Sequence, residues 1–494
     1  MLDRLLIQTT LWLLWLVRQA ISRDRRAYML LSAGALQPLL ARIGRLRAHA
    51  VYLKAKDRCP AYREFLQREG DNGGRWRLSA LPIMTKENYV KRYSIEARCY
   101  DGRLPAAGVV IDESSGSSGV PNNWVRSSEE RADVKRILQL NYQLIYRDSG
   151  CILLNCFALG PWATGMNVSM SLVDVGILKS IGPDQKKLEN TLQLFGSGYR
   201  YLVFGYPPFI KSFVDSTRLD LKQYRMDLIV GGEGISEPLR TYLLQFFQTV
   251  ISSYGASDLE INIAVETELT INLRRLCLED RALAQKLFGR EAVPMIFQYN
   301  ALDYIIETTD TGELVFTIGR QTSAAPKLRY NLHDVGGTMS HQQLVAQLAA
   351  NGVDSATLAE RQSRFPLLYV YGRSDLTVPF YGAKVYPTDI EEIINAHPAL
   401  VKLVNSFQLA SYEDAQINRR LKIRLETVKD VSALPSVEEL RDIFFEGLCR
   451  CNQDFREVTK MFDRSCVEIE VYEYETGPFR ERDIRVKNRY IGSS

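Results

Sequence analysis

The sequence predicts an α/β protein with a large N-terminal domain and a small C-terminal α+β domain, and three observations support this. First, 494 residues exceed the roughly 250–300 that one hydrophobic core serves, and a 46% hydrophobic content can fill two cores. Second, short apolar runs alternate with helical segments over residues 150–254. Third, the sequence past residue 290 is rich in strands. We place the domain boundary near Asp375, which gives domains 26–374 and 375–494.

The individual elements follow from local patterns. Apolar spacing is helical over residues 26–70, and residues 127–146 form a helix that opens with Ser and Glu. The turn at Asp310–Gly312 separates two strand-like runs and predicts a hairpin. In the small domain, the segment 436–455 reads as one continuous helix. Strands on both sides of this helix complete the predicted α+β unit, with residues 417–428 and 467–475 as the clearest examples.

The N-terminal segment, residues 1–25, contains the apolar run LLIQTTLWLLWLV at positions 5–17. Thirteen residues at about 1.5 Å each do not span a hydrocarbon core of about 30 Å, so we predict no membrane-spanning helix. Two interpretations stay open. The run either lies in a membrane interface, flanked by Arg4 and Arg18, or packs on its own domain or a protein partner.

Composition excludes several classes of function. The 62 Lys and Arg against 58 Asp and Glu leave a net charge of +4 without a long block of one sign, which argues against nucleic-acid binding. Eight cysteines without a disulfide framework, and no secretory cleavage site, predict a cytoplasmic protein with free thiols. Four histidines show no zinc-ligand spacing. A small organic ligand is the expected partner.

The stretch ESSGSSGVPNNW, residues 113–124, follows the apolar run AAGVVI. Gly116 and Gly119 would let backbone N–H groups converge on an anion, and the serine hydroxyls would add donors. No lysine follows the second glycine, so this is not a GxxxxGK[ST] phosphate loop. Because Gly and Ser also dominate ordinary turns, the stretch alone leaves a surface turn open.

Polar side chains also follow several predicted strands. A ligand crevice in an α/β sheet forms where strands end, so these residues are candidates for a site. They are Glu233 in IVGGEGISEPLR, Tyr254 and Asp258 in VISSYGASDLE, Asp334 in RYNLHDVGG, and Arg373 and Asp375 in YGRSDLTVPFYG. Each one alone also fits a structural role, such as a strand-end cap, a core ring or a loop ion pair.

Taken together, the motifs resemble a known family. SSGSSGVP, GGEGISEPLR, SSYGASDLE, GELVFT, RYNLHDVG and GRSD...GAKVYPTDIEEII occur in the order found in the adenylate-forming superfamily. AYREFLQREG and LSALPIMTKENYVKRY resemble the opening of its phenylacetate–CoA ligase-like and CapK-like branch. The resemblance implies a large multi-sheet N-terminal domain and a small mobile C-terminal domain.

The resemblance also implies an activity. It predicts an acid–thiol ligase that uses ATP and Mg²⁺ to activate an aryl or acyl carboxylic acid as an acyl-adenylate. The acyl group would pass to CoA or to another thiol or amine acceptor. An alternative stays open, in which the chain has lost adenylation and acts as a nucleotide-binding assembly component, at a membrane through residues 5–17.

The family pattern assigns roles to matching positions. The phosphate-binding residues would be Ser114, Ser115, Gly116, Ser117, Ser118 and Gly119. Glu233 would lie at the adenine edge and Tyr254 against the adenine face. Asp334 would accept from the ribose hydroxyls, Arg373 would reach the ribose or phosphate side, and Asp375 would be the hinge.

The sequence departs from the family in three places. Asp258 stands where relatives carry a Mg²⁺-binding glutamate, so the carboxylate reaches one methylene less far. Leu376 replaces a second aspartate after the hinge. Pro478 stands where the catalytic C-terminal lysine is expected, and Arg482 or Lys487 could replace it.

The acyl pocket of the family corresponds to two aromatic stretches of this chain. The candidates for its lining are Trp162, Phe204 and Tyr206, which would suit an aryl or fatty group. An ordinary role for these three rings in the hydrophobic core stays open.

Overall fold

The computed structural model describes residues 33–70, 76–114, 122–146, 150–360, 363–374, 378–429, 435–459 and 462–480. The predicted N-terminal helix at 5–17 lies outside these ranges. Within them, no helix combines the length and the apolar character that crossing a membrane requires. All eight cysteines are free thiols, as predicted.

Fourteen α-helices are numbered here in chain order within the described residues. They are α1 Gln37–Arg58, α2 Pro60–Glu69, α3 Ser128–Tyr146, α4 Ala163–Leu172, α5 Gln185–Phe195, α6 Pro207–Ser216, α7 Glu237–Leu243, α8 Glu268–Glu279, α9 Arg281–Phe288, α10 His341–Ala350, α11 Pro387–Ala396, α12 Pro398–Leu403, α13 Val437–Cys451 and α14 Gln453–Val458.

Eighteen strands are described. They are β1 Val110–Ser114, β2 Asn122–Arg126, β3 Cys151–Asn155, β4 Ile177–Ser180, β5 Arg200–Gly205, β6 Arg225–Val230, β7 Val250–Tyr254, β8 Ala264–Val265, β9 Met295–Tyr299, β10 Tyr304–Thr308, β11 Glu313–Ile318, β12 Tyr330–Met339, β13 Leu367–Arg373, β14 Val378–Phe380, β15 Ala383–Val385, β16 Val404–Glu413, β17 Arg419–Thr427 and β18 Val467–Tyr472.

The large domain is organised on one sheet of eleven strands, in the order β10-β11-β12-β13-β9-β8-β7-β6-β5-β3-β4. The half from β4 to β7 is parallel, and each of the remaining pairs is antiparallel. Every residue of β3 is buried, as in a strand covered on both faces. The carboxyl ends of β5, β6 and β7 therefore meet along one edge of the parallel half.

Helices cover both faces of the parallel half. Leu188, Phe209 and Leu243, from α5, α6 and α7, pack in one hydrophobic cluster with the strands. Val168 and Leu172 of α4 belong to a second cluster with other side chains of β3 and β5. The alternation of apolar runs and helical segments therefore gives the predicted α/β layers.

The small domain has its own sheet and core. Strands β16, β17 and β18 form a three-stranded sheet, and β14 pairs with β15 in a hairpin. Its hydrophobic cluster draws all its buried members from Val378 to Ile469. The predicted α/β architecture with a small α+β domain is confirmed. The boundary at Asp375 stays a prediction, because residues 375–377 lie outside the described ranges.

Two predictions about local elements have different outcomes. The hairpin around Asp310–Gly312 is confirmed, because β10 and β11 pair antiparallel across this turn. The single helix over 436–455 is wrong, because Asn452 is extended and separates α13 from α14. The Asn452 side chain accepts from the Phe455 N–H at 2.9 Å and donates to Asp389 at 2.7 Å. These contacts fix a break that the apolar spacing does not show.

Candidate active site

A cavity of about 1020 Å³ lies at the carboxyl ends of the parallel strands, between the large domain and the β14–β15 hairpin. Seven predicted residues line it together: Glu233, Tyr254, Asp334, Arg373, Trp162, Phe204 and Tyr206. Their convergence follows from topology, because Tyr206, Glu233 and Tyr254 stand at or just beyond the ends of β5, β6 and β7. Their individual roles stay predictions.

Tyr254, Asp334 and Arg373 form one hydrogen-bonded group. Asp334 and Arg373 face each other across the β12–β13 pair, and Arg373 Nη1 lies 3.5 Å from Asp334 Oδ1. The Tyr254 hydroxyl donates to Asp334 Oδ2 at 2.5 Å. Burial, followed by the charge of Asp334, raises the pKa of Tyr254 well above its usual value, so its phenol stays a donor. The Tyr254 ring is stacked on Phe316 with centroids 6.1 Å apart.

Glu233 reaches the cavity from the turn after β6 and contacts the small domain. Its Oε2 accepts a hydrogen bond from the Gly382 N–H at 3.2 Å. Its Oε1 is buried and has no hydrogen-bond donor among the described residues. Burial raises the pKa of Glu233, although the charge of Arg419 lowers it in part. A buried carboxylate oxygen of this kind is free to accept a hydrogen bond from a ligand.

The Ser/Gly stretch connects β1 to β2, which pair antiparallel from Val110 and Arg126 to Ser114 and Asn122. Ser115, Gly116, Ser117, Ser118 and Gly119 lie outside the described residues, so their predicted phosphate contacts stay predictions. Ser114 is the last residue of β1. Glu113, one residue earlier, lines the cavity, so the end of β1 that leads into the Ser/Gly stretch borders the site.

Arg126 anchors this hairpin to the rest of the large domain. It is 4% exposed, and its guanidinium lies 3.0 Å from Asp112 and 3.1 Å from Glu130. It also donates to the Leu259 carbonyl at 2.6 Å and to the Ser257 carbonyl. The hairpin is therefore tied directly to the segment that follows Tyr254. Sequence reasoning did not identify Arg126.

Asp258, the predicted Mg²⁺ ligand, is buried beside the cavity and is not part of its wall. Its Oδ1 accepts from Trp124 Nε1 at 3.0 Å, and its Oδ2 accepts from the Tyr330 hydroxyl at 3.1 Å. The Lys86 ammonium lies 3.4 Å from the same Oδ2. Burial lowers the pKa of Lys86, but Asp258 and Tyr386 together outweigh burial, so the pKa lies above its usual value. Both oxygens of Asp258 therefore already have protein donors.

Lys384 enters the cavity from β15 of the small domain. Burial, followed by the charges of Arg373 and Lys86, lowers the pKa of Lys384 to about 8. Sequence reasoning missed this residue, although it lies in the quoted motif GAKVYP. The available signal was a lone charge in a short apolar strand, two residues beyond a glycine.

One end of the cavity is apolar. It runs between the parallel strands and helices α3 and α4, next to the predicted pocket residues Trp162 and Phe204. The further lining residues at this end are Leu138, Tyr142, Val168, Leu172 and Leu202. The side chains at this end carry no charge, which fits an apolar group of a ligand.

Tyr206 lies between two glycines from different domains. Gly232 belongs to the large domain and Gly382 to the small one, and both have positive φ, +84° and +86°. A β-carbon at either position would stand 2.6 Å or 2.9 Å from the Tyr206 ring. Only glycine therefore allows the hairpin and the Glu233 turn to approach this ring so closely.

Three predicted positions stay untested. Asp375, Lys487 and Arg482 lie outside the described residues. Pro478 lies in a short 3₁₀ turn, and its carbonyl accepts from Gln408 Nε2 at 3.4 Å. It is not among the described residues that line the cavity. Glu413 and Arg419, which sequence reasoning also missed, do line it from the small domain.

Comparison with known proteins shows similarity in structure. No protein-family model matches the chain, and no curated protein matches its sequence. A 2-hydroxyisobutyryl-CoA ligase in complex with 2-HIB-AMP and CoA, in its thioesterification state, is similar with a TM-score of 0.64 and 12% identity, covering 92% of this chain and 89% of that one. An open conformation of the same enzyme, in complex with 2-HIB-AMP and CoA, has a TM-score of 0.52 at 12% identity, covering 92% of this chain and 90% of that one. Its postadenylation state has a TM-score of 0.51 at 12% identity, covering 93% of this chain and 89% of that one.

These similarities define the fold. The chain shares its overall fold with this 2-hydroxyisobutyryl-CoA ligase, in line with the fold that the motif order implied. Over the whole chain, its structure is more similar to the thioesterification state of that ligase than to the other two states.

Proposed function

We propose that the protein activates an apolar aryl or fatty carboxylic acid with ATP as an acyl-adenylate and transfers the acyl group to CoA or another thiol or amine. The observation that carries the proposal is the two-ended cavity. Tyr254, Asp334 and Arg373 line its polar end, and its other end is apolar. A nucleotide needs the first kind of surface and an apolar acid needs the second.

The polar end has the chemistry that a nucleoside requires. Asp334 has two carboxylate oxygens, and each keeps an acceptor site for a ribose hydroxyl beside its contact with Tyr254 or with the Arg373 cation. The free Oε1 of Glu233 can accept from an exocyclic amino group. Tyr254 would lie against the face of the base. In this proposal these residues bind and orient the nucleotide, and positioning supplies much of the rate.

The domain arrangement supports a transfer step. In this arrangement Gly382 and Lys384 of the small domain border the cavity together with Tyr206 of the large domain. The most similar ligase structure described above also holds an acyl-adenylate and CoA, with its domains in the thioesterification state. We infer that this chain can present an adenylate to an acceptor with its domains placed as they are here.

Mg²⁺ enters the proposal with ATP, as the ion that accompanies its phosphates. In this arrangement Asp258 is a poor ligand, because Trp124, Tyr330 and Lys86 occupy its oxygens. The predicted metal role of Asp258 therefore requires Oδ2 to exchange the Lys86 ammonium for the ion. We assign no catalytic step to the metal.

ATP–pyrophosphate exchange tests the proposal. The full chain would be screened with aryl acids and fatty acids of increasing length, with short hydrophilic acids for comparison. We expect exchange that depends on an apolar acid. A Leu172→Trp variant, which fills the apolar end, should lose exchange with the largest acids and keep it with the smallest.

Two outcomes would oppose the proposal. Folded protein that exchanges with no acid contradicts it. If that protein still binds ATP in calorimetry, the alternative of a nucleotide-binding protein without adenylation is supported, which Pro478 at the expected lysine position already suggests.

A further inference from the structure

We propose that Lys384, a residue of the small domain, binds the phosphoryl group of a nucleotide held in the cavity. The proposal rests on the nucleotide binding proposed above and adds the residue and the charge that hold the anionic end.

The position of Lys384 is fixed by its strand and by a helix cap. It pairs in register with Pro379 across the β14–β15 hairpin. Its carbonyl accepts from Asn452 Nδ2 at 2.8 Å, and the same amide group donates to Asp389 at 2.7 Å. These contacts fix the backbone of Lys384, and its side chain borders the cavity.

The Lys384 ammonium makes no hydrogen bond or ion pair within the part of the chain that the structure describes. Its charged surroundings are Arg373, Lys86, Asp258 and Asp334. Both carboxylates already have another cation, because Lys86 lies 3.4 Å from Asp258 and Arg373 lies 3.5 Å from Asp334. This group therefore holds three cations and two carboxylates, and Lys384 is the cation left over.

A cation removed from water requires a counter-ion. The cavity is the side from which a counter-ion can come. Lys384 lines its polar end with Tyr254 and Asp334, where the nucleoside is proposed to bind. A phosphate monoester is an anion that a lysine ammonium binds well as a point charge. The unbalanced positive charge and the neighbouring nucleoside site together favour a phosphoryl group as the ligand.

The experiment compares AMP with adenosine by titration calorimetry on the full chain. The two probes differ only in the phosphoryl group. We expect Lys384→Gln to weaken AMP binding about tenfold to a hundredfold, the range of a charge-assisted hydrogen bond, and to leave adenosine binding unchanged. Lys384→Arg, which keeps the charge, should restore most of the AMP affinity.

Lys422→Gln is the matched control. Lys422 is a small-domain lysine that pairs with Glu470 at 2.5 Å and does not line the cavity. Its substitution should change neither Kd. This control separates the phosphoryl contact from a general effect of removing a positive charge from the small domain.

Three results would count against Lys384. If Lys384→Gln binds AMP as tightly as wild type, the assignment is wrong and nucleotide binding stands. If it loses adenosine and AMP equally, Lys384 shapes the site and does not contact the phosphoryl group. If wild type binds neither probe, the nucleotide part of the proposed function fails, and the assignment fails with it.

Discussion

Two buried groups of charged side chains in this protein differ in how completely they are neutralised. The first, here called the hairpin cluster, lies under the β1–β2 hairpin. It consists of Arg126, Asp112, Glu130, Lys327, Arg320, Glu260, Asp303 and Arg47. The second, the cavity cluster, consists of Lys384, Lys86, Arg373, Asp258 and Asp334.

In the hairpin cluster every cation has a carboxylate within ion-pair distance. Lys327 is 1% exposed and lies 3.2 Å from Glu130, which also binds Arg126. In the cavity cluster Lys384 has no such partner among the described residues. Complete pairing under the hairpin is typical of charges that hold a domain together. The unpaired Lys384 is the charge that we propose to bind a ligand. Neutralising a member of each cluster should therefore change stability in opposite directions.

The largest expected effect is for Arg126→Met. The substitution removes the cation that neutralises buried Asp112 and the donor of the Ser257 and Leu259 carbonyls, so we expect a loss of about 4 kcal/mol in the free energy of unfolding. Urea denaturation measures it. Arg464→Met is the control, because Arg464 pairs with Asp442 and Glu446 on the surface, where no measurable change is expected. Equal losses of stability for the two variants would mean that the buried ion pairs of Arg126 contribute no more than a surface ion pair.

Glu130→Gln should cost about 3 kcal/mol at neutral pH, because Arg126 and Lys327 would lose their shared carboxylate. Burial alone would raise the pKa of Glu130, but Lys327 and Arg126 outweigh it and hold the pKa below its usual 4.5. A carboxylate whose pKa is lower in the folded state stabilises above pH 4.5 and loses this effect as pH falls further. Urea denaturation at several pH values should show that the difference in free energy of unfolding between variant and wild type becomes smaller below pH 4.5. A gap independent of pH would contradict this.

Lys384→Met should do the opposite and stabilise the protein by about 2 kcal/mol at pH 7. The pKa of Lys384 is about 8 in the folded protein against 10.5 when unperturbed, so folding disfavours its charged form. This cost is fully present below pH 8 and disappears as pH rises from 8 to 10.5. The advantage of the variant, measured by urea denaturation, should therefore shrink between pH 7 and pH 10. If Lys384→Met instead destabilises the protein at pH 7, the charge of Lys384 stabilises the fold in the same way as the charges of the hairpin cluster.

The smallest effect is expected for Tyr254→Phe, about 1 kcal/mol of lost stability, since one hydrogen bond to Asp334 disappears while Arg373 stays near. Thermal unfolding of the variant measures it. A Tyr371→Phe variant is the comparison, because its hydroxyl donates at 3.2 Å to the Phe288 carbonyl, outside the cavity cluster. A much larger loss at Tyr254 would mean that Asp334 depends on this phenol for its placement.

The sequence predicts the strand-end residues well. Glu233 and Tyr254 follow apolar runs, and parallel topology brings such strand ends together without knowledge of long-range contacts. The prediction that Asp334 follows a strand is wrong, because it lies inside the antiparallel strand β12 and reaches the cavity from there. Phe204 lies next to the end of the buried strand β5, so its place beside the cavity has the same origin as that of Glu233 and Tyr254.

Other parts of the site depend on contacts between distant segments. Lys384 reaches the cavity, half-buried, only because a hairpin of two three-residue strands docks on the large domain. The break at Asn452 depends on Asp389, 63 positions away. Local periodicity carries no information on either contact. The pairing of Asp334 with Arg373 also follows a β-bulge that the sequence pattern does not reveal.

The position of Tyr206 has a mechanical consequence. Its ring borders the cavity where an acid is proposed to bind, and it touches glycine backbone from both domains. An acid that displaces this ring must also push on Gly382, and so on the hairpin that carries Lys384. At this point the size of a bound acid would bear on the position of the small domain through packing alone, without any change in charge.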